Sequence, residues 1–485
     1  MTIGLPLLVS EPIPATMLGL HGWEDSHMAT HARPAALDMT RGPLLPQLLS
    51  LLVPALATTL GQWVLLQGIV QMTAMAQDPA LGALQACVIP CELVCGTALG
   101  LATGCAAIVG QHCGSGNRRL LSDSVHTAMA LSLALGLPLA VAGVLAATPT
   151  LHLLGTPGSM MDGASECLTL FCGAAVLVVV FDFAVALQRA VGCIVAPLLE
   201  SALVTASGLA LSWQLMGRLQ LGARGAALAF ASAHLIGCIV ALRQLTHARG
   251  AWRLRLGHVR LVGPIARDML VCALPLALQN AIVVGCALVQ PGIASFESQA
   301  AEAWRLAVRI QSQLWVASEA FALALTTFSA QCFGAALYDR MRRGLRAAIP
   351  LALVLMAGVE ALVCLHASEI SNRLCTDVTI AGLATTMTVL VVPTYLLRVF
   401  MDCLAATVRG SGESTKPLLI TLVCSCATRV AWMAVVVARH RSIAEAVLSY
   451  PLSWGIGAMA MLVYYRHARW MTRSLRRARR RRVEE

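Results

Sequence analysis

Ionisable side chains occur inside long apolar runs of this sequence, where a charge is costly and is usually retained for a function. Coupling to protons needs a carboxyl group that binds a proton on one side of an apolar barrier and releases it on the other. Binding of Na⁺ needs a carboxylate with further oxygen atoms converging on it. Both kinds of chemistry amount to coupling to a cation. The candidate cation-coupling residues are Asp402, Asp182, Glu319 and Glu92.

Asp402 has a basic neighbour on the same helix face. It follows Arg398 by four residues, which is one helical turn. An ion pair is the least costly way to bury either group. Two interpretations of Asp402 therefore stay open, a coupling carboxylate or half of a structural ion pair. Asp182 has no basic residue at that spacing.

Cysteines form the other pattern with possible chemistry. Most of the 17 lie inside apolar runs, and Cys87, Cys91 and Cys95 form a stripe along one helix face. A soft-metal site would need a complete set of thiolate, histidine or carboxylate ligands, and none stands beside this stripe. Small residues in such stripes pack against a neighbouring helix. We therefore expect no metal and no cofactor.

The apolar runs are long enough to cross a lipid bilayer. Of 485 residues, 58% are hydrophobic and 12% are charged, whereas soluble domains carry about 25% charged residues. Runs of about 20 residues span about 30 Å as helices, and their polarity does not alternate as in membrane strands. The expected fold is all-α and polytopic, with twelve transmembrane helices. The expected spans are about 47–76, 81–110, 121–147, 164–190, 197–217, 223–246, 268–296, 300–331, 341–366, 380–408, 417–438 and 444–466.

The second half of the chain repeats the first at an offset of 220 residues. Scarce residue types recur at this one offset, so chance is a poor explanation. Two six-helix bundles entering from the same side are related by a pseudo-twofold axis along the membrane normal, with a cleft between them. The repeated structural residues are Gln111 and Gln331, Gly114 and Gly334, Arg189 and Arg409, and Gly192 and Gly412, with Asp182 and Asp402 and Pro197 and Pro417 at the same offset.

This repeat divides the chain into five parts. We expect a disordered extension at 1–46, a first bundle at 47–246, a linker at 247–267, a second bundle at 268–466 and a basic tail at 467–485. The polar residues expected to face the cleft between the bundles are Gln71, Gln290, Gln67, Gln279, Asn280 and Arg398.

Basic residues predict the orientation of the chain. Most of the 35 fall on one side of the expected spans, which places both termini in the cytoplasm of a multi-pass protein of the plasma membrane. The arginines of the tail follow a hydrophobic span directly, so anionic lipid is their expected partner and nucleic acid is not. We expect a monomer that handles a small-molecule substrate.

Glycine-containing motifs follow several spans. The stretch 109–117 contains Gln111, Gly114, Gly116 and Asn117, and the stretch 329–335 repeats part of it. Arg-Gly-x-Gly occurs at 409–412. By these motifs the chain resembles the multidrug and toxic compound extrusion (MATE) family, most closely its bacterial DinF-like branch. The resemblance extends over about 47–466. It implies cation-coupled export of organic, often cationic and amphipathic compounds in exchange for H⁺ or Na⁺, by rocking of the two bundles.

The sequence departs from that family at the coupling site. Members of the branch usually place an aspartate in the first span, where this chain has no acid and has Gln67 and Gln71 instead. The acid usual in the tenth span falls about one turn before Asp402, at Arg398. The family's coupling residues therefore do not carry over, and coupling has moved to other residues, has weakened or is absent.

Two other functions stay open at this point. A flippase for lipid-linked precursors, from the same wider superfamily, would need a cleft lined with arginines, and Arg305, Arg309 and Arg398 are candidates. A membrane enzyme or receptor is disfavoured because no catalytic motif and no loop long enough for a ligand-binding domain is found. The chain is therefore expected not to be an enzyme.

Overall fold

The structure, a computed structural model, describes residues 37–75, 80–285, 298–437, 439, 443–468 and 470–475. Within these ranges the chain is helical, with short turns and no strand. This agrees with the expected all-α membrane fold.

In the first bundle, called the N-lobe, the structure describes seven helices. The helix α4 bends by 41° into α5 at Ala174, so the pair forms one broken span. The helix α6 continues as a π-helical turn at Trp213–Arg218. The helices are α1 Leu44–Met75, α2 Leu81–Gly114, α3 Arg118–Leu153, α4 Gly158–Gly173, α5 Ala175–Ala190, α6 Val195–Ser212 and α7 Gly222–Thr246.

The second bundle, called the C-lobe, repeats this plan. A short 3₁₀ turn lies at Val392–Thr394, and π-helical turns lie at Leu422–Ala427 and Met433–Val437. The helices are α8 Gly263–Gly285, α9 Ser298–Gly334, α10 Tyr338–Leu365, α11 Ala367–Leu374, α12 Val378–Val391, α13 Tyr395–Gly410, α14 Thr415–Thr421, α15 Thr428–Trp432 and α16 Ile443–His467.

Ten of the described helical segments are long and apolar enough to cross a membrane, or eleven when the bent α4–α5 pair counts as one span. The seventh of the twelve expected spans coincides with α8, and its continuation at 286–297 lies outside the described residues. The count of twelve therefore stays a prediction.

The first half of the first helix of each lobe is buried in the core of the other lobe. The start of α1, including Leu48, Leu51 and Ala55, is buried among C-lobe residues. The start of α8, including Met269 and Ala273, is buried among N-lobe residues. These two half-helices correspond in the repeat. The exchange therefore joins the lobes on one side of the molecule.

That side is called the arginine-rich face below, because it carries the residues that the sequence assigns to the cytoplasm. Residues 118–119, 243–267 and 340–346 lie there, at the ends of α2, α7 and α9. Glycines bring α2 and α8 into backbone contact towards this face. A Cβ atom at Gly104 would lie 2.3 Å from Ala273 Cα, and one at Gly100 would lie 2.8 Å from Ala277 Cα.

The beginning of the described chain differs from the expected disorder of 1–46. Residues 37–43 have defined positions and α1 already begins at Leu44. Hydrogen bonds explain this order, because Arg340 and Gln47 donate to backbone carbonyls of this segment. Residues 1–36 lie outside the described residues.

Two other expectations concern the interior and the tail. The Cys87 thiol, from the cysteine stripe, donates to the Ala164 carbonyl at 3.3 Å, so the stripe packs against α4. In the tail, residues 470–475 are helical, and the Ser474 hydroxyl lies 3.0 Å from that of Ser411 in the α13–α14 turn. The arginines from 476 onwards lie outside the described residues.

Candidate functional site

Asp182 is a buried carboxyl group in the middle of the N-lobe. It lies on α5 and is 1% exposed. Its Oδ1 accepts a hydrogen bond from Gln62 Nε2 on α1 at 2.8 Å, while Oδ2 has no hydrogen-bond partner among the described residues. Arg189, two turns further along α5, interacts with it only through space. Asp182 thus has a neutral direct partner and an oxygen left over for a proton or a cation.

Asp402 occupies the equivalent place in the C-lobe but has different partners. Its Oδ2 lies 3.3 Å from Arg398 Nε and accepts a hydrogen bond from Ser318 at 2.8 Å. Arg398 is itself fixed, since its guanidinium carbon lies 3.3 Å from the centre of the Trp315 ring. The structure thus contains the ion pair that the four-residue spacing allowed.

The repeated arginines hold the first helix of each lobe. Arg189 Nη1 donates to Thr58 Oγ1 at 2.8 Å, and Arg409 Nη2 donates to Gln279 Oε1 at 3.0 Å. Thr58 on α1 and Gln279 on α8 each follow the proline of their helix, Pro54 or Pro275, by four residues. The duplication therefore extends from residue types to contacts.

The other two acidic candidates lie on α2 and α9, each of which contacts the opposite lobe. Glu92 on α2 is half-buried and lies beside the side chain of Gln67 on α1. Glu319 on α9 is half-buried one residue after Ser318 and interacts through space with Asp402 and Arg409. The structure therefore brings Glu319 together with the Asp402 cluster and places Glu92 with the first span.

The polar residues expected to face the cleft separate into distinct surroundings. Gln71 is exposed and accepts a hydrogen bond from Arg309 of the other lobe. Gln279 is buried against Arg409 rather than open to a cleft. Gln290 lies outside the described residues, as does the side chain of Asn280.

Two glutamines close the arginine-rich face from opposite lobes. Gln111 Nε2 at the end of α2 donates to the Gly410 carbonyl of α13 at 2.8 Å. Gln331 Nε2 at the end of α9 donates to the Ala190 carbonyl of α5 at 2.7 Å. Both bonds are buried and both cross between the lobes, so the motif residues of the sequence form an inter-lobe closure.

Glycines allow the two helix ends to approach this closely. A Cβ atom at Gly114 would lie 2.0 Å from the Gln331 carbonyl oxygen, and one at Gly334 would lie 1.9 Å from the Gln111 carbonyl oxygen. No side chain larger than hydrogen fits at either place without separating the helices. The turns after α5 and α13 also need glycine, because φ is +90° at Gly192 and +86° at Gly412.

Sequence reasoning missed several partners of these groups. It assigned the place of the absent span-1 acid to Gln67 and Gln71, whereas Gln62 is the amide that contacts Asp182. A signal was present, because Thr58 and Gln62 are four residues apart and form one polar stripe on α1. Glu200 on α6, which the sequence places inside a span but not among the coupling candidates, is fully buried, and its two oxygens accept from Gln188 at 2.9 and 3.1 Å.

Comparison with known proteins places this geometry in context. A family model described as MatE matches residues 54–213 and 275–433. The probable multidrug resistance protein YoeA of Bacillus subtilis is 23% identical over 379 residues, which cover 76% of this chain and 81% of that protein.

Solved structures share the fold at low identity. An outward-facing MATE family transporter of the MOP superfamily superposes with a TM-score of 0.82 at 17% identity, over 93% of this chain and 100% of that one. A MOP superfamily transporter from Pyrococcus furiosus, described as having a binding pocket of reverse polarity, gives a TM-score of 0.83 at 17% identity, over 90% and 98% of the chains.

Proposed function

Because the chain belongs to the MatE family, whose members are transporters and not enzymes, we propose that it is a secondary active antiporter. It exports organic, cationic or amphipathic compounds in exchange for H⁺ or Na⁺. The relative from Bacillus subtilis, described as a multidrug resistance protein, supports this substrate class. The arginine-rich face is cytoplasmic in this proposal, and the protein resides as a monomer in the plasma membrane with its basic tail on anionic lipid.

The surroundings of Asp182 carry the proposal. A carboxyl group that couples transport must bind and release its cation during each cycle. Asp182 meets that need, because its one described hydrogen bond comes from the neutral amide of Gln62 and its second oxygen is unpaired among the described residues. Asp402 is already neutralised by Arg398 at 3.3 Å, so a cation would have to displace a buried guanidinium. We therefore assign coupling to Asp182 and a structural role to Asp402.

The duplicated fold supplies the mechanism. Two bundles related by an axis along the membrane normal can rock against each other and expose a central site to each side in turn. A gradient drives the rocking only if the cation has different affinities for the two conformations. Gln62 on α1 and Asp182 on α5 are positioned for this, because α1 exchanges its first half with the other lobe and would move relative to α5.

The flippase alternative has less support. It depends on arginines that are free to bind an anionic headgroup. Arg398 is paired with Asp402, Arg309 donates to Gln71, and Arg305 lies 3.7 Å from Glu302. No observation favours it over antiport.

The test is uptake of a fluorescent organic cation into everted membrane vesicles, whose cytoplasmic face points outwards, under separately imposed H⁺ and Na⁺ gradients. We expect one gradient to drive transport by the unaltered protein, and Asp182→Asn to abolish that dependence. Asp162→Asn is the matched control, because it removes an exposed carboxylate from the same lobe. Full gradient-driven transport by Asp182→Asn would overturn the assignment of coupling, and no transport under either gradient by the unaltered protein would overturn the antiport itself.

A further inference from the structure

Residues 37–42, called the strap below, cross the closure between the two lobes on the arginine-rich face. At its first residue, the Leu37 N–H donates to the Gly192 carbonyl of the N-lobe at 2.9 Å. The approach is close, since a Cβ atom at Gly192 would lie 2.2 Å from the Leu37 carbonyl oxygen. The strap is therefore fixed to the turn between α5 and α6.

Arg340 on α10 fixes the other end of the strap to the C-lobe. Its Nε donates to the Met39 carbonyl at 2.8 Å, and its Nη2 donates to the carbonyls of Arg41 and Gly42 at 3.1 and 2.9 Å. The same Nη2 lies 2.7 Å from Gln47 Oε1 at the start of α1. One guanidinium thus holds three strap carbonyls and the helix that follows them, and such bonds from a charged donor are stronger than neutral ones.

Gln331 joins the strap to the inter-lobe closure. Its Oε1 accepts from the Met39 N–H at 3.3 Å, while its Nε2 donates to Ala190 of the N-lobe at 2.7 Å. The side chain of Met39 is fully buried in the C-lobe core. Pulling the lobes apart on this face would break the Gln331–Ala190 bond and the Leu37–Gly192 bond together, so the strap is coupled to the closed state.

The repeat shows that this clamp is present in one half only. The residue equivalent to Arg340 is Leu120, 220 positions earlier, which has no side chain able to donate to a carbonyl. The segment before α8 is held differently. The Val262 N–H donates to Thr127 Oγ1 at 3.3 Å and the Arg255 N–H donates to His126 Nε2 at 3.0 Å, both in the N-lobe helix α3.

We propose that the strap is a built-in lock of the conformation closed at the arginine-rich face, held by Arg340 on one lobe and by Gly192 on the other. It sets the ratio between the two conformations of the transporter without touching the substrate. Opening on this face requires release of the strap from at least one lobe. Because the strap links the lobes only while Arg340 holds it on one side and Gly192 on the other, losing either contact shifts the equilibrium towards the open arrangement.

The lock is tested by measuring the distance between the lobes on this face. A ketone-bearing amino acid is placed at Arg119 and at Asp339, which are exposed at the starts of α3 and α10, and both are spin-labelled without using the native cysteines. In lipid nanodiscs we expect the unaltered protein to give mainly one short distance. In Arg340→Leu, which installs the residue found at the equivalent position of the first repeat, the ratio of long to short distances should rise about tenfold, as expected for losing at least one charge-assisted hydrogen bond.

Two controls separate the lock from general effects. Arg343→Leu removes an exposed positive charge from the same helix without touching the strap, and should leave the ratio unchanged. Gly192→Ala should raise the ratio as Arg340→Leu does, because its Cβ atom would displace Leu37. Gly412→Ala introduces the same positive-φ strain away from the strap and should leave the ratio unchanged.

An unchanged ratio in Arg340→Leu would overturn the proposal, as would an equal rise in Arg343→Leu. If Arg340→Leu does not yield a folded protein, the comparison of Gly192→Ala with Gly412→Ala decides, and equal ratios there overturn it. The readout is a distance and needs no substrate, so it stands or falls separately from the proposed antiport.

Discussion

Gln111 and Gln331 make the same hydrogen bond from opposite lobes. Their amide nitrogens donate to the carbonyls of Gly410 and Ala190 at 2.8 and 2.7 Å. Donors and acceptors are both separated by 220 residues, so the internal repeat is preserved in a contact between the lobes as well as within each lobe. The arginine-rich face is therefore closed by a symmetric pair of bonds. The strap beside them adds contacts that the other repeat lacks.

Substitution of the glycines at this crossing should weaken the fold. In Gly114→Ala and Gly334→Ala the new methyl group meets a backbone carbonyl oxygen of the other lobe at 2.0 and 1.9 Å. Overpacking of this kind costs about 1–3 kcal/mol. We expect both variants to lose that much stability in thermal unfolding in detergent, and by similar amounts because the sites are equivalent.

Gly358→Ala is the matched control for this pair. Gly358 lies in the exposed part of α10, where an added Cβ meets no atom within 4 Å. There alanine should be neutral or stabilising by about 0.5–1 kcal/mol through its higher helix propensity. Equal unfolding temperatures for all three variants would contradict the close crossing of α2 and α9.

Ala336 should be replaceable by glycine with a gain in stability. It has φ of +56°, and its equivalent in the first repeat is Gly116 with φ of +71°. A left-handed conformation costs a residue with a Cβ atom about 1–2 kcal/mol. Glycine avoids this cost but loses more backbone entropy on folding, which offsets part of the gain. Ala336→Gly should therefore raise the free energy of unfolding by about 0.5–1 kcal/mol, and Gly116→Ala should lower it. A loss in Ala336→Gly equal to that in the neighbouring Ala335→Gly, where φ is not positive, would argue against this backbone strain.

The buried arginines should depend on their uncharged partners. Thr58→Val keeps the shape of the side chain but removes the acceptor of Arg189, and Gln279→Leu does the same for Arg409. Leaving a buried donor unpaired costs about 1–3 kcal/mol. Both variants should unfold at lower temperature, whereas Thr386→Val, whose exposed hydroxyl bonds only to its own helix, should not. An equal effect of all three would show that the arginine contacts add no stability.

Sequence reasoning predicted the helical fold and the repeat because both depend on local signals. Apolar length predicts membrane helices, and scarce residues at one offset, such as Gln111 and Gln331, reveal a duplication. It could not predict which polar groups meet, since that depends on how helices distant in sequence rotate against each other. The contact between Asp182 and Gln62 was missed for this reason. The order of residues 37–43 was missed because their partner, Arg340, is about 300 residues away.

The final prediction concerns Arg398 and Asp402, whose ion pair is buried between α9 and α13. Removing one partner of a buried pair leaves an uncompensated charge and costs about 3–5 kcal/mol, whereas removing both can be nearly neutral. We expect Arg398→Gln and Asp402→Asn each to lower the unfolding temperature strongly, and the double variant to regain most of the loss. A double-mutant cycle on thermal stability measures this coupling.

Transport by the double variant then separates the two roles of Asp402. If its carboxylate only balances Arg398, the double variant should retain gradient-driven efflux along with stability, because Asp182 is still present. If Asp402 is the coupling group, the double variant should be stable and yet lose its dependence on the gradient. The second result would move the coupling site from the N-lobe to the C-lobe, since no change in folding could explain the loss.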